Sequence, residues 1–72
     1  MMKIHLLDPR SDIFQSFITP DQLFNFAQRS SRNFNGRTLV VRNSDKARCI
    51  DLRKETPVEI NALVMKTLND LR

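Results

Sequence analysis

Apolar and polar residues alternate twice within the stretch "RTLVVRNSDKARCIDLRK", residues 37–54. Over 37–42, Leu39 and Val41 alternate with Thr38, Val40 and Arg42. Over 47–53, Ile50 and Leu52 alternate with Cys49, Asp51 and Arg53. A period of two is the signature of a half-buried strand, and the turn-rich "NSDK" between the runs predicts a β-hairpin. An even-length loop sets Arg42 opposite Ala47, Val40 opposite Cys49 and Leu39 opposite Ile50, so apolar residues meet apolar residues. An odd-length loop would set Leu39 against Asp51, so the even register is expected. Leu39, Val41, Ile50 and Leu52 then form the packed face.

The period changes on either side of the hairpin. Ile60, Leu63, Val64, Thr67, Leu68 and Leu71 recur at helical spacing and predict an amphipathic helix from Pro57 to near the carboxyl end. Leu23, Phe26, Ala27, Ser30 and Phe34 share one face of an earlier helix, Pro20 to about Asn33. Both starts carry the same device. In "ITPDQL" Thr19 is the N-cap, Pro20 takes the first helical position and Gln22 completes a capping box, with Ile18 and Leu23 placed for a hydrophobic staple. In "ETPVEI" Thr56, Pro57 and Glu59 repeat the cap, proline and box. The first helix ends at "FNG", where Asn35 or Gly36 supplies a left-handed residue. Upstream, "KIHLL" at 3–7 reads as a strand. "DPRSDIFQSF" reads as a helical turn or two capped by Asp8, with Ile13, Phe14 and Phe17 turned inward. The sum is one α+β domain over residues 1–72, in the order β-(short α)-α-β-β-α, with a small antiparallel sheet built on the central hairpin and packed on helices.

Length makes that domain marginal. A chain of 72 residues buries only about 60% of the surface exposed when unfolded, and its one cysteine, Cys49, has no internal disulfide partner. Good helix ends, the five phenylalanines and a partner chain are the remaining sources of stability, and a homodimer is expected. No apolar run reaches the roughly 18 residues of a membrane span, and "MMKIHLLDPR" breaks at Asp8-Pro9 rather than forming a signal peptide. A cytoplasmic protein with no membrane contact is expected.

Charge adds a direction. The net charge is +4. Between Arg29 and Lys54 eight basic residues face only Asp45 and Asp51, a local excess of six positive charges over a remainder that is net negative. Such asymmetry suits an acidic partner, either duplex nucleic acid or an acidic protein; solubility alone also accounts for exposed arginines. Arg29, Arg32, Arg37, Arg42, Lys46 and Arg48 are the candidates for phosphate contact, since guanidinium forks suit phosphate oxygens. Arg29 and Arg32 also offset the dipole at their helix end. The ribbon has no aromatic residues on which single-stranded bases would stack, and a hairpin separates the two clear helices, unlike a helix-turn-helix. Candidate partner-interface residues are Val40 and Cys49 on the outer hairpin face, and Val58, Ala62 and Met65, which widen the apolar surface of the last helix.

Enzymatic chemistry has little footing. His5 and Cys49 are the only soft metal ligands, at no ligand spacing, so no metal and no cofactor is expected. One glycine cannot build a phosphate-cradling loop. Arg42, Arg48, Arg53 and His5 match the residue types by which small basic ribonucleases polarise RNA, and that is the one catalytic set available. The expected function is non-enzymatic: a regulatory protein contacting nucleic-acid backbone through residues 29–54, or an interaction module or inhibitor for an acidic protein. The segment "ITPDQLFNFAQRSSRNFNGRTLVVRNSDKARCIDL", with Gly36, Val40, Val41 and Arg42, resembles the amino-terminal part of Phd/YefM-type antitoxins, in which a helix precedes a glycine, a strand, a hairpin and a second helix. The resemblance covers about half the chain and implies a dimeric DNA-binding antitoxin. The hairpin departs from it in lacking a glycine, and no toxin-binding tail is recognisable.

Overall fold

The computed structural model describes residues 2–30, 34 and 36–71. Strands β1 (Met2–Leu7) and β2 (Ile13–Phe17) are followed by helix α1 (Pro20–Ser30), strands β3 (Thr38–Asn43) and β4 (Lys46–Asp51), and helix α2 (Pro57–Asp70). The four strands form one antiparallel sheet in the order β2-β1-β3-β4. Both helices pack on one face of it. The fold is therefore α+β, as the hydrophobic pattern requires.

The hairpin has the even register. Arg42 pairs with Ala47, Val40 with Cys49 and Leu39 with Ile50. Asn43 pairs with Lys46, leaving Ser44 and Asp45 as a two-residue loop, and Ser44 takes the positive φ of 61° that such a tight turn demands. Leu39, Val41 and Leu52 are buried and Ile50 is half-buried against the same core. Gly36 has φ +77°, the left-handed conformation expected at "FNG". Its N–H donates to the Leu52 carbonyl at 3.1 Å, while the Leu52 N–H donates to Arg37 at 2.8 Å. Gly36 and Arg37 thus face Leu52 together, a glycine bulge just beyond the paired strands. Arg32, Asn33 and Asn35 lie outside the described residues.

One expectation is corrected. Residues 8–17 form a turn and a strand, not a helical turn. The Asp8 carboxylate accepts the N–H groups of Arg10 and Asp12 at 2.8 and 3.0 Å, and Ser11 sits at φ 70°. A side chain that bonds the backbone two and four residues on offers it an alternative to the helix, and a left-handed residue stops helical propagation. The turn returns the chain along β1. Leu6 pairs with Gln15 but Leu7 with Ile13, so Phe14 is the extra residue of a β-bulge. Phe17 is buried as expected, whereas Ile13 is 61% exposed.

Phe26, half-buried on α1, holds the aromatic part of the core together. Its ring centroid lies 5.5 Å from Phe17, 5.6 Å from Phe34 and 6.5 Å from Phe14, at interplanar angles of 55–65°. These are tilted and edge-on contacts, the arrangements aromatic quadrupoles favour. On α2 the buried stripe is Ile60, Val64, Thr67 and Leu71, with Leu68 half-buried; Leu63 falls at its exposed margin. The Thr67 hydroxyl donates to the Leu63 carbonyl at 2.8 Å, which satisfies it inside the core.

The helix starts differ in one detail. At α2 the box is complete: the Glu59 N–H donates to Thr56 Oγ1 at 3.2 Å, and Glu59 Oε1 accepts the Thr56 N–H at 2.8 Å. At α1 the Gln22 N–H donates to Thr19 Oγ1 at 3.3 Å, but Gln22 Oε1 accepts from Ile18 rather than Thr19, at 3.0 Å. Ile18 stays more than half exposed while Leu23 is buried.

The Thr56 backbone and hydroxyl hold the Glu59 carboxyl below its ordinary 4.5. A carboxyl depressed in the folded state stabilises above the unfolded value and loses that contribution as pH falls through the folded one. Urea midpoints of the wild type and Glu59→Gln should therefore differ at pH 7 and converge as the pH falls below 4.5. Thr56→Ala should cost about 1 kcal/mol at neutral pH, read from the same melts.

Candidate binding surface: the open face of the sheet

The register that buries Leu39 and Val41 turns their neighbours the other way, and neither helix covers that side. Three rows cross it. Lys3, Arg42 and Ala47 are successive Cα partners on β1, β3 and β4. Ser16, His5, Val40 and Cys49 form the next row across all four strands, and Ile13, Leu7, Thr38 and Asp51 the third. His5, Leu7, Thr38 and Val40 are half-buried by their neighbours; the rest are exposed. The face is thus apolar through Leu7, Val40, Cys49 and Ile13, cationic at one end and closed by Asp51 at the other. His5 Nδ1 and Ser16 Oγ lie 2.7 Å apart, and the Thr38 hydroxyl donates to Asp51 at 3.1 Å, so cross-strand polar pairs stitch the surface.

The five candidate cations among the described residues do not converge on one surface. Arg42 stands on the open face beside Lys3. Lys46 and Arg48 alternate with it and lie on the helix-packed side of β4, where Arg48 reaches Asp70 at 3.5 Å, both about half exposed. An ion pair so exposed contributes at most about 1 kcal/mol. Arg29 is at the end of α1 with its Nε donating to the Asn25 carbonyl at 3.4 Å. Arg32 lies outside the described residues. Arg37 has its guanidinium 4.4 Å above the centre of the Phe14 ring, with Nη1 buried and without a hydrogen-bond partner among the described residues. The bulge that turns Phe14 out of the regular alternation is what makes this cation–π contact available.

The interface candidates divide in the same way. Val40 and Cys49 are direct partners on the open face. Val58, Ala62 and Met65 are exposed on α2, a separate surface; Met65 borders a cleft of about 650 Å³ with Met2, Pro20 and Leu68. The ribonuclease-like set is split, since His5 and Arg42 are on the open face and Arg48 on the other. His5 and Cys49 share a row but Val40 stands between them. Among the described residues no cluster of His, Cys, Asp or Glu could hold a metal ion, and no helix is long and apolar enough to cross a membrane.

Sequence reasoning missed Lys3 as the companion of Arg42, and Ser16 as the partner of His5. No local signal marks either pair, because the β1–β2 and β1–β3 pairings create them. No family model, curated protein or solved structure matches the chain. The likeness to Phd/YefM-type antitoxins rests on the residues that carry it.

The Arg37–Phe14 contact should be measurable. A double-mutant cycle of Arg37→Met and Phe14→Leu, read by urea denaturation, should give a coupling of about 0.5–2 kcal/mol. Additive effects would mean the stack contributes nothing to stability.

Proposed function

We propose that this protein is a non-enzymatic regulatory binding module whose partner docks on the open face of the sheet and is an acidic protein. One observation carries the reading: among the described residues a complete four-stranded face has no covering layer, and its apolar middle is bordered at one end by Lys3 and Arg42. A one-sided antiparallel sheet can leave its second face to water, but that face is then normally polar along its strands. Here Leu7, Val40, Ile13 and Cys49 break the polar alternation. Apolar area supplies the affinity of a protein contact, and a cationic margin steers and orients an acidic surface. The dispersal of the arginines also favours this reading over a broad phosphate track, because Arg37 stacks on Phe14 and Arg48 bridges Asp70.

A second reading, contact with the backbone of duplex nucleic acid, is favoured by the adjacency of Lys3 and Arg42 and by the net charge of +4. The two diverge in their response to salt and to loss of apolar surface. With labelled random duplex DNA at about 50 and about 200 mM salt, phosphate contact gives micromolar binding that weakens steeply at the higher salt. The interaction reading expects negligible binding at both. It expects immobilised wild-type protein to retain acidic proteins that Val40→Glu loses and that Lys3→Glu with Arg42→Glu also loses. DNA binding that survives Val40→Glu and disappears with the paired charge reversal would replace it with the second reading.

A further inference from the structure

The two edges of the sheet are built differently. β2 carries the Phe14 bulge and follows the strained turn at Ser11; a bulge is one of the devices by which proteins keep an edge from pairing. β4 has six residues, no proline and no irregularity in its register with β3. The hydrogen bonds between Leu52 and residues 36 and 37 fix the phase of its ladder. In an antiparallel pair alternate residues direct both main-chain groups at one neighbour. Lys46, Arg48, Ile50 and Leu52 therefore face β3, while Ala47, Cys49 and Asp51 direct their N–H and C=O groups away from the sheet. No described strand lies beyond them, and all three residues are exposed.

We infer that this edge is the seat of a second copy of the chain, whose β4 adds antiparallel about a two-fold axis at Cys49 and joins two sheets into one. Self-pairing fits because the same strand supplies complementary groups in the opposite direction. An axis normal to the sheet keeps the helices of both copies on one side and opposes residues of the same face. The charges then select the register. Setting Arg48 opposite Arg48 would stack like charges, which is destabilising. Setting Cys49 opposite Cys49 puts Ala47 against Asp51 and Arg48 against Ile50. It also uses every outward amide and carbonyl of the three edge residues, whereas setting Cys49 opposite Asp51 leaves those of Ala47 beyond the partner strand. Just past the strand ends, the same register brings Asp45 of one copy towards Arg53 of the other, opposite in charge. The two Arg48 side chains become diagonal neighbours across the axis, and each has its own Asp70 at 3.5 Å to offset its charge.

The assembly leaves the open face uncovered and makes the two faces continuous. It does not rest on the proposed function, and it gives a domain of marginal length more buried structure.

Amide hydrogen exchange by NMR on the wild type, at low and at high protein concentration, tests the inference directly. Ala47, Cys49 and Asp51 should gain protection as the concentration rises, while Lys46, Arg48 and Ile50 should be protected throughout. Sedimentation should show a monomer–dimer equilibrium over the same range. Cys49→Pro removes an outward N–H at an edge position that tolerates proline, so this variant should keep the monomer fold and lose the dimer. A chain that stays monomeric throughout, a dimer in which the three amides exchange no more slowly, or a dimer that survives Cys49→Pro in a folded protein would overturn it. Should the variant fail to fold, the exchange pattern of the wild type still decides.

Discussion

The register of the β3–β4 hairpin is the constraint on which the remaining surfaces depend. Because side chains alternate strictly along a strand, the two-residue turn at Ser44 and Asp45 assigns every residue of β3 and β4 to a face at once. Leu39, Val41 and Ile50 go to the helices; Thr38, Val40, Arg42, Cys49 and Asp51 go to the open side. A slip of one residue would invert the assignment and place Arg42 in the core, an outcome too costly to persist. Pairing of β1 with β3 extends the same division by setting Ile4 opposite Val41 and His5 opposite Val40.

Electrostatics acts on this scaffold by position rather than by sum. The basic excess between Arg29 and Lys54 reads as one sector along the chain, but the pleat divides it. Arg42 joins a cationic pair on the open face, Arg48 is held beside Asp70, and Arg37 lies against an aromatic ring. An arginine whose guanidinium covers Phe14 contributes through packing and cation–π attraction as much as through charge. Net charge still favours acidic partners at long range, while the local arrangement determines which side chains reach one.

A small domain with helices on one side of its sheet has two unfinished surfaces, a bare face and a bare edge. The first exposes apolar side chains, and the second exposes main-chain donors and acceptors. They call for different chemistry, because side-chain burial is non-directional whereas ladder hydrogen bonds demand a strand in register. One molecule can therefore use its edge for a second copy and its face for another partner without conflict.

Much of this was legible in the residues because it is local. The hairpin register, the Thr56 box with Glu59, the left-handed Gly36, the helix stripes and the α+β order all follow from spacings of a few residues. The strand at Ile13–Phe17 was not legible as such, since two phenylalanines and a capping-type Asp8-Pro9 suit a helix equally well; the Asx hydrogen bonds and the partner strand β1 decided between them. Nor could the sequence show that Lys3 adjoins Arg42, that Phe14 leaves the alternation to lie beneath Arg37, or that β4 is an edge. Each depends on which strands become neighbours across long stretches of chain. Local spacing determines what an element is and which way its side chains point, while only the tertiary pairing of β1 with β3 decided which faces and edges were left open.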